Sequence, residues 1–536
     1  MQNIEQIIKE ELSKLGFVSE EVTLTRPKHA DHGDYAFFVK DASIDLASLA
    51  LEKVSHEYIK SCTVLGRFIN IHLSDTFLIE TLKETEKQGT EFGKNNVLAN
   101  KRIIFEYTDP NPFKQFHIGH LMSNAIGETL SRLAEYGGAE VKRANYQGDV
   151  GLHVAKAIWG MQELSGEMSN PKAELSLKAT FLGKAYTHGS NSYEDDESVK
   201  KEIDALNKKI FEKSDEKVQG LYEWGRKVSL DYFEIMYTKL GTRFDYYFFE
   251  SETAGRGTLM VEEFLKKGIF EKSDGAVIFR GEQYGLHTRV FITSQGLPTY
   301  ETKEIGLNLE KFDRGNFDES VIVTASEQND YFSVVLKALE FIDSNVANRT
   351  RHIGHGMLRF ASGKMSSRKG NVITGESLIV DVEKLVYEKI KDRELLSDRQ
   401  KQEVVEQVAV GAVKYSILKQ SPGRDIVFDM EKSLSFEGDS GPYLQYAHAR
   451  ACSVLEKAQE AGIEASFTAP EASSTFERLL SIFPDVVKRA ERERSPQLIV
   501  TYLIDLAGIF NNYYAHNPIV VEGEAVSAYR LSLIHI

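Results

Sequence analysis

The stretch Ile103-Ile-Phe-Glu106-Tyr-Thr-Asp-Pro-Asn111-Pro-Phe-Lys114-Gln-Phe-His117-Ile-Gly-His120 decides how the chain folds. It opens with a short apolar strand, turns on Pro110-Asn111-Pro112, and enters a helix. In that helix Ile118, Leu121, Met122, Ala125, Ile126, Leu130, Leu133 and Ala134 recur at spacings of three and four until Gly137-Gly138 closes it. A second apolar strand, Val141 to Tyr146, follows. Strand, helix and strand in that order build a parallel sheet, so the fold class is α/β with a Rossmann-like parallel-sheet domain.

Working outward, strand-like segments return at Arg289 to Thr293, Val321 to Thr324 and Met357 to Phe360. These predict one sheet split by an insertion near 155–285, in which His188 to Ser198 reads as a polar loop with Glu194-Asp-Asp-Glu197 at a solvated tip. Ahead of the sheet, residues 1–95 predict a small α+β N-terminal domain: a helix near Ile4 to Leu15, a turn at Gly33-Asp34-Tyr35, a helix around Ile44 to Lys60 and a strand at Phe68 to Leu73. The sheet domain takes 96–385, and 386–536 predicts an all-α bundle with helices from Ser397 to Leu418, Gly441 to Ala461, Thr475 to Arg494 and Pro496 to Tyr514.

A chain of 536 residues predicts several domains at ~100–200 residues each. No apolar run reaches the ~20 residues of a membrane span, and the acidic N-terminus does not suit a signal peptide. With only Cys62 and Cys452 there is no disulfide framework and no cysteine zinc knuckle, which fits a cytoplasmic protein. The net charge of −15 argues on its face against nucleic acid. Local clustering matters more: between Arg351 and Gly370 stand Arg351, Arg359, Lys364, Arg368 and Lys369 with no acid among them.

Two strings carry chemistry. His117-Ile-Gly-His120 lies at the start of the helix, where free N–H groups and the dipole attract phosphate, and Gly119 allows close backbone approach. The same four letters recur at His352-Ile353-Gly354-His355, but strand-like residues follow instead of an amphipathic helix, so this copy reads as structural. The second string, Gly363-Lys364-Met365-Ser366-Ser367-Arg368-Lys369-Gly370, sets three cations and two hydroxyls on a loop hinged by glycines, suited to the β and γ phosphates of ATP.

Together, His117-Ile-Gly-His120 and Lys364-Met-Ser-Ser-Arg368 resemble the two signatures of class I aminoacyl-tRNA synthetases. Within that class the chain resembles the arginyl-tRNA synthetase family, through Glu106-Tyr-Thr-Asp-Pro-Asn111, Ala144-Asn-Tyr-Gln-Gly-Asp149, Gly296-Leu-Pro-Thr-Tyr300-Glu-Thr-Lys-Glu304, Ala325-Ser-Glu-Gln328 and Gly441-Pro-Tyr-Leu-Gln-Tyr-Ala-His-Ala-Arg450. Gly33-Asp34-Tyr35 and Phe68-Ile-Asn70 look like its additional N-terminal, tRNA-binding domain.

The resemblance implies an arginine–tRNA ligase that forms arginyl-adenylate from ATP and passes the acyl group to the 3′ end of tRNA(Arg). His117, His120, Lys364 and Lys369 would be catalytic, and Lys114, Gly119, Met365, Ser366, Ser367 and Arg368 would complete the ATP site. Glu106, Asn111, Tyr300, Glu304 and Gln328 would bind arginine, with the two acids on the guanidinium. Tyr443, Gln445, Tyr446, Arg450 and Tyr514 would meet the anticodon bases. Mg²⁺ would arrive with ATP, with no tightly bound cofactor or structural metal, no membrane partner, and a monomer as the working form. The family's last helix would run on beyond Arg530-Leu-Ser-Leu-Ile-His-Ile536, so a truncated end is expected. The competing readings are another class I synthetase, a small-molecule nucleotidylyltransferase, which has no need of a helical C-terminal domain, and a non-catalytic RNA-binding paralogue, which should have lost one of the two strings.

Overall fold

The computed structural model describes residues 4–27, 32–167, 173–361, 374–393, 396–468, 475–521 and 523–534. The chain begins with α1 (Ile4–Ser13), followed by β1 (Leu24–Thr25), β2 (Tyr35–Phe38), β3 (Ile59–Leu65), β4 (Phe68–Leu73) and α2 (Asp75–Gln88). The four strands form an antiparallel sheet in the order β1-β2-β4-β3. The helix predicted from Ile44 to Lys60 is not formed; Leu46–Ser48 and Leu51–Lys53 are single 3₁₀ turns, the first capped by Asp45. Ile44, Leu46, Leu49, Leu51 and Val54 all pack on the sheet's core, and their spacing of two and three suits an irregular strap rather than one face of an α-helix.

The central sheet starts with β5 (Arg102–Tyr107), which α3 (Ile118–Tyr136) connects to β6 (Glu140–Gln147). Then come α4 (Leu152–Glu163), α5 (Leu175–Asp195), α6 (Glu197–Glu212), α7 (Glu216–Lys239) and β7 (Tyr246–Phe249). The predicted polar loop from His188 is instead the last turns of α5. The Gly189-Ser-Asn-Ser192 run looks loop-like by composition, but a Cβ on Gly189 would stand 2.0 Å from the Lys156 carbonyl oxygen, so glycine there lets α4 and α5 close on each other. Glu194 to Glu197 are exposed at the helix junction, a solvated tip as expected, and Asp196 caps α6. The sheet regains β7, parallel to β6, inside the stretch read as an insertion.

Next are α8 (Glu250–Lys266), β8 (Glu271–Ser273), β9 (Ala276–Phe279) and β10 (Arg289–Ile292), then α9 (Tyr300–Arg314), β11 (Glu319–Ala325), α10 (Asn329–Ile342), α11 (Ser344–Arg349) and β12 (Thr350–His355). β10 does not join the central sheet as expected but forms an antiparallel sheet with β9 and β8. The second His-Ile-Gly-His string is itself β12, and the parallel order is β12-β11-β5-β6-β7. Val321, Ile322 and Val323 of β11 are all buried, as a strand covered on both faces requires.

Among the described residues, β13 (Leu358–Phe360) pairs only with β14 (Ile426–Phe428), a strand within the region read as all helical. Around it lie α12 (Gly375–Ile390), α13 (Asp398–Leu418), α14 (Met430–Ser433), α15 (Gly441–Glu460), α16 (Thr475–Ser481), α17 (Phe483–Arg492), α18 (Gln497–His516) and α19 (Ala525–Ser532). Ser397 and Gln400 form a capping box on α13. The single helix predicted from Thr475 to Arg494 is two, because Pro484 has no N–H to continue the ladder and instead starts α17. The N-terminal domain is tied to these helices: Arg26 and the Tyr35 hydroxyl meet Asp485, and Arg478 meets Asp34.

Candidate active site

The chain turns from β5 into α3 through a strained loop. Thr108, Asp109 and Phe113 have φ of 80°, 46° and 68°, a region that L-residues enter only when their surroundings hold them there. They are held: Thr108 N donates to Ser123 Oγ, Phe113 N to Ser229 Oγ, and Asp109 Oδ1 accepts from Tyr146 N. Ser123 also donates to the Val323 carbonyl, which pins the start of α3 between β5 and β11.

His117 is the N-cap of α3 and its backbone N donates to Nδ1 of His120 at 3.2 Å. The two rings stack with centroids 3.4 Å apart, and a Cβ on Gly119 would stand 2.9 Å from the His117 ring. Because Nδ1 of His120 accepts, its proton resides on Nε2, which is therefore a donor. Burial, then His117 and Lys114, hold the His120 ring well below its ordinary pKa, so it donates as a neutral imidazole. Burial and Lys114 lower His117 as well. Lys114 is not on the cavity wall; its ammonium lies 5.0 Å from the Tyr186 ring.

A cavity of about 450 Å³ opens at the C-terminal ends of β5, β6, β11 and β12, where parallel α/β sheets take their ligands. It gathers Glu106, Asn111, His117, Gly119, His120, Tyr300, Glu304 and Gln328 from three distant parts of the sequence. Tyr300 and Gln328 stand exposed at its rim. A Cβ on Gly148 would come within 2.2 Å of Asn111 Oδ1, so glycine there keeps the floor open.

The acids are not equivalent. Glu106 already holds a cation: Lys311 Nζ lies 2.7 Å from its carboxylate, and both side chains are buried. Glu304 accepts from Asn308 at 2.9 Å, and burial together with the Glu106 charge pushes it up to about 8. Burial and Glu106 likewise raise Asp109 well above the carboxylate range. Glu304 and Asp109 are thus the two carboxyls of the cluster held toward the protonated form. Lys303 pairs with Glu250 at 2.6 Å beside them.

Sequence reading passed over Asp109, Tyr146, Glu250, Tyr331, Phe332 and His355, all of which line the cavity. Asp109, Tyr146 and His355 lay within quoted strings; Glu250, Tyr331 and Phe332 come from helix starts with no shared local pattern. Of the second string, read as structural, His355 lines the cavity. His352 is stacked on Phe332 at 4.1 Å with Nε2 2.8 Å from Thr324 Oγ1. Lys364, Met365, Ser366, Ser367, Arg368 and Lys369 lie outside the described residues.

In the helical region, Arg450 is held between two rings, 4.5 Å from Tyr446 and 4.8 Å from Tyr514, and donates to Asn511 at 2.6 Å. Both tyrosines remain exposed. Gln445 and Tyr443 do not join this patch: Gln445 donates to the Gln407 carbonyl between α15 and α13, and Tyr443 packs on the C-terminal core. No helix among the described residues is long and apolar enough to cross a membrane.

A parallel sheet with an imidazole pair at the helix start after its first strand, followed by a helical domain, is the architecture of a class I aminoacyl-tRNA synthetase. A family model described as "tRNA synthetases class I (R), catalytic domain" matches residues 82–430. Models of the DALR anticodon binding domain and the arginyl tRNA synthetase N terminal domain match 444–536 and 2–73. The arginine–tRNA ligases of Clostridium botulinum and Clostridioides difficile are each 30% identical, over 542 and 551 residues, covering 99% of this chain and 95% of theirs. In fold, the arginyl-tRNA synthetase of Thermus thermophilus superposes with a TM-score of 0.78 at 23% identity, over 99% of this chain and 95% of that one. This chain belongs to the arginyl-tRNA synthetase family.

Proposed function

We propose that the cavity activates L-arginine with ATP and delivers it to the 3′ end of tRNA(Arg). The observation that carries the proposal is the meeting, in one cavity, of a neutral imidazole donor at a helix start with a buried acid cluster. A guanidinium entering between Glu304 and Asp109 offers bidentate hydrogen bonds and replaces the protons those acids hold. Lys311 steadies Glu106, which keeps the whole cluster from repelling itself. Asn111 takes the α-amino or carboxylate group, and Tyr300 and Gln328 close the rim.

The arginine carboxylate then attacks the α-phosphorus of MgATP; a P–O bond forms and pyrophosphate leaves with the other bond's electrons. Nε2 of His120, with His117, donates to the phosphoryl oxygens as charge builds there. Lys364 and Lys369, with Ser366, Ser367 and Arg368 and with Lys114 nearby, receive the pyrophosphate. A ribose hydroxyl of the tRNA next attacks the acyl carbon and AMP departs. The 1–95 domain and the Tyr446, Arg450 and Tyr514 patch hold the tRNA, and one chain in the cytoplasm is the working unit. ATP–pyrophosphate exchange with each of the twenty amino acids, with and without tRNA(Arg), tests the reading. Exchange with arginine alone is expected; exchange with any other amino acid in its place would overturn it.

A further inference from the structure

The string His-Ile-Gly-His occurs twice, and the fold brings the last imidazole of each copy to the same cavity. The two rings are oriented with opposite hydrogen-bonding sense. In His120, Nδ1 accepts from the His117 backbone, so Nε2 carries the proton. In His355, Nδ1 lies 2.8 Å from the Gly356 carbonyl oxygen, which can only accept; Nδ1 therefore carries the proton and Nε2 carries a lone pair. The His355 ring is 2% exposed, and burial lowers its pKa, so the neutral form persists. A neutral acceptor is of no use to phosphate, whose oxygens also accept. It needs an N–H or O–H from the ligand.

Position decides which donor that is. The acids sit at β5 and α9, and the start of α3 is pinned between β5 and β11 by Ser123. His355 ends β12, beyond β11, where Val323, Ala325 and Phe332 make the wall apolar. With the guanidinium drawn to the acids and the phosphates to the helix start, the group left for this apolar end is the planar base of the nucleotide. We infer that Nε2 of His355 accepts a hydrogen bond from the 6-amino group of adenine, and that His355 selects ATP against 6-oxo purine nucleotides. This rests on the reading of the cavity as an ATP site. A 6-oxo base would set an acceptor against the His355 lone pair.

Equilibrium dialysis of ATP and inosine triphosphate against the full chain tests it. The unaltered protein should bind ATP ~10- to 100-fold more tightly than inosine triphosphate, the range for a buried hydrogen bond made or opposed. In His355→Phe, ATP binding should weaken ~10-fold while inosine triphosphate changes little, so the preference collapses. His355→Gln, whose amide oxygen can accept, should recover part of it. His120→Ala should weaken both nucleotides by one factor and leave their ratio intact. An unchanged ratio in folded His355→Phe, or equal weakening of both nucleotides, would overturn the assignment. If the unaltered protein bound neither nucleotide, the ATP site itself would fall and this inference with it. An amino acid other than arginine in the exchange assay would instead overturn the substrate and leave the base assignment standing.

Discussion

The two walls of the cavity are built on opposite plans. The β5–α3 wall has three non-glycine residues at positive φ, an acid cluster held partly protonated, and two buried lysine–glutamate pairs beside it. The β11–β12 wall is regular parallel strand, its side chains apolar or neutral. Each wall carries His-Ile-Gly-His, yet only the first copy lies at a helix N-terminus, with the proton of its last imidazole on Nε2. On the proposed reading, the difference teaches that reacting charge is handled where backbone strain and buried ions are held in place by the surrounding structure. Recognition of an uncharged group needs only a regular strand and one correctly oriented ring.

The sharpest way to break the comparison is at the acid end. Glu304→Gln should raise KM for arginine by the equivalent of ~2 to 5 kcal/mol, because an amide then faces part of a buried guanidinium. Steady-state kinetics with arginine varied would check it, and an unchanged KM would remove Glu304 from the pocket. Glu301 is a poor control, since it pairs with Arg289 on the same wall; exposed Glu327 is a better one.

At the helix start, His120→Ala should lower the single-turnover rate of adenylate formation by ~100-fold or more, the scale for losing a preorganised donor. A loss below tenfold would mean that the phosphates are held elsewhere.

Acidity gives a third test. Glu304 is raised to about 8, so below that pH the empty site keeps it protonated, and arginine must displace the proton to bind. KM for arginine should therefore fall up to ~10-fold per unit as pH rises toward 8 and then level off, while Glu304→Gln should flatten the profile. The same shift acts on stability with a fixed sign. Between ordinary carboxylate ionisation and about 8 the folded state binds the extra proton, so the ligand-free protein should lose stability as pH rises through that window, and saturating arginine should cancel the loss. Thermal melts across the window, with and without arginine, check this.

The smallest effect belongs to the second wall. His355→Ala should change kcat for adenylate formation with saturating ATP by less than ~3-fold, since it removes no donor to the reacting phosphorus. Equal loss of kcat at His120 and His355 would erase the distinction between the walls.

Much of this was legible beforehand. The strand, turn and helix from Ile103 to Tyr136 were readable because apolar spacing, prolines and paired glycines act over a few residues, and the helix from Ser397 to Leu418 was visible from its period. Composition misled where packing decided the outcome. Gly189 to Ser192 looked like a loop until α4 closed on it, and Ile44 to Lys60 looked helical until the sheet drew Ile44, Leu46, Leu49, Leu51 and Val54 inward. In the helical region the tyrosines gave no sign of their fates. Tyr446 and Tyr514 bracket Arg450 at the surface, while Tyr443 went to the core.

By itself the sequence determined the first strand–turn–helix–strand unit, the imidazole pair at the start of α3 and the family. These depend on local periodicity and on short strings whose chemistry can be read in place. Only the tertiary structure decided that Lys311 neutralises Glu106, 205 positions away, and that Asp109 and Glu304 share a desolvated site. It also gave two identical strings opposite proton positions. The physical reason is that ion pairing, burial and tautomer are set by whichever groups meet when strand ends converge, and those meetings are between residues far apart in the chain.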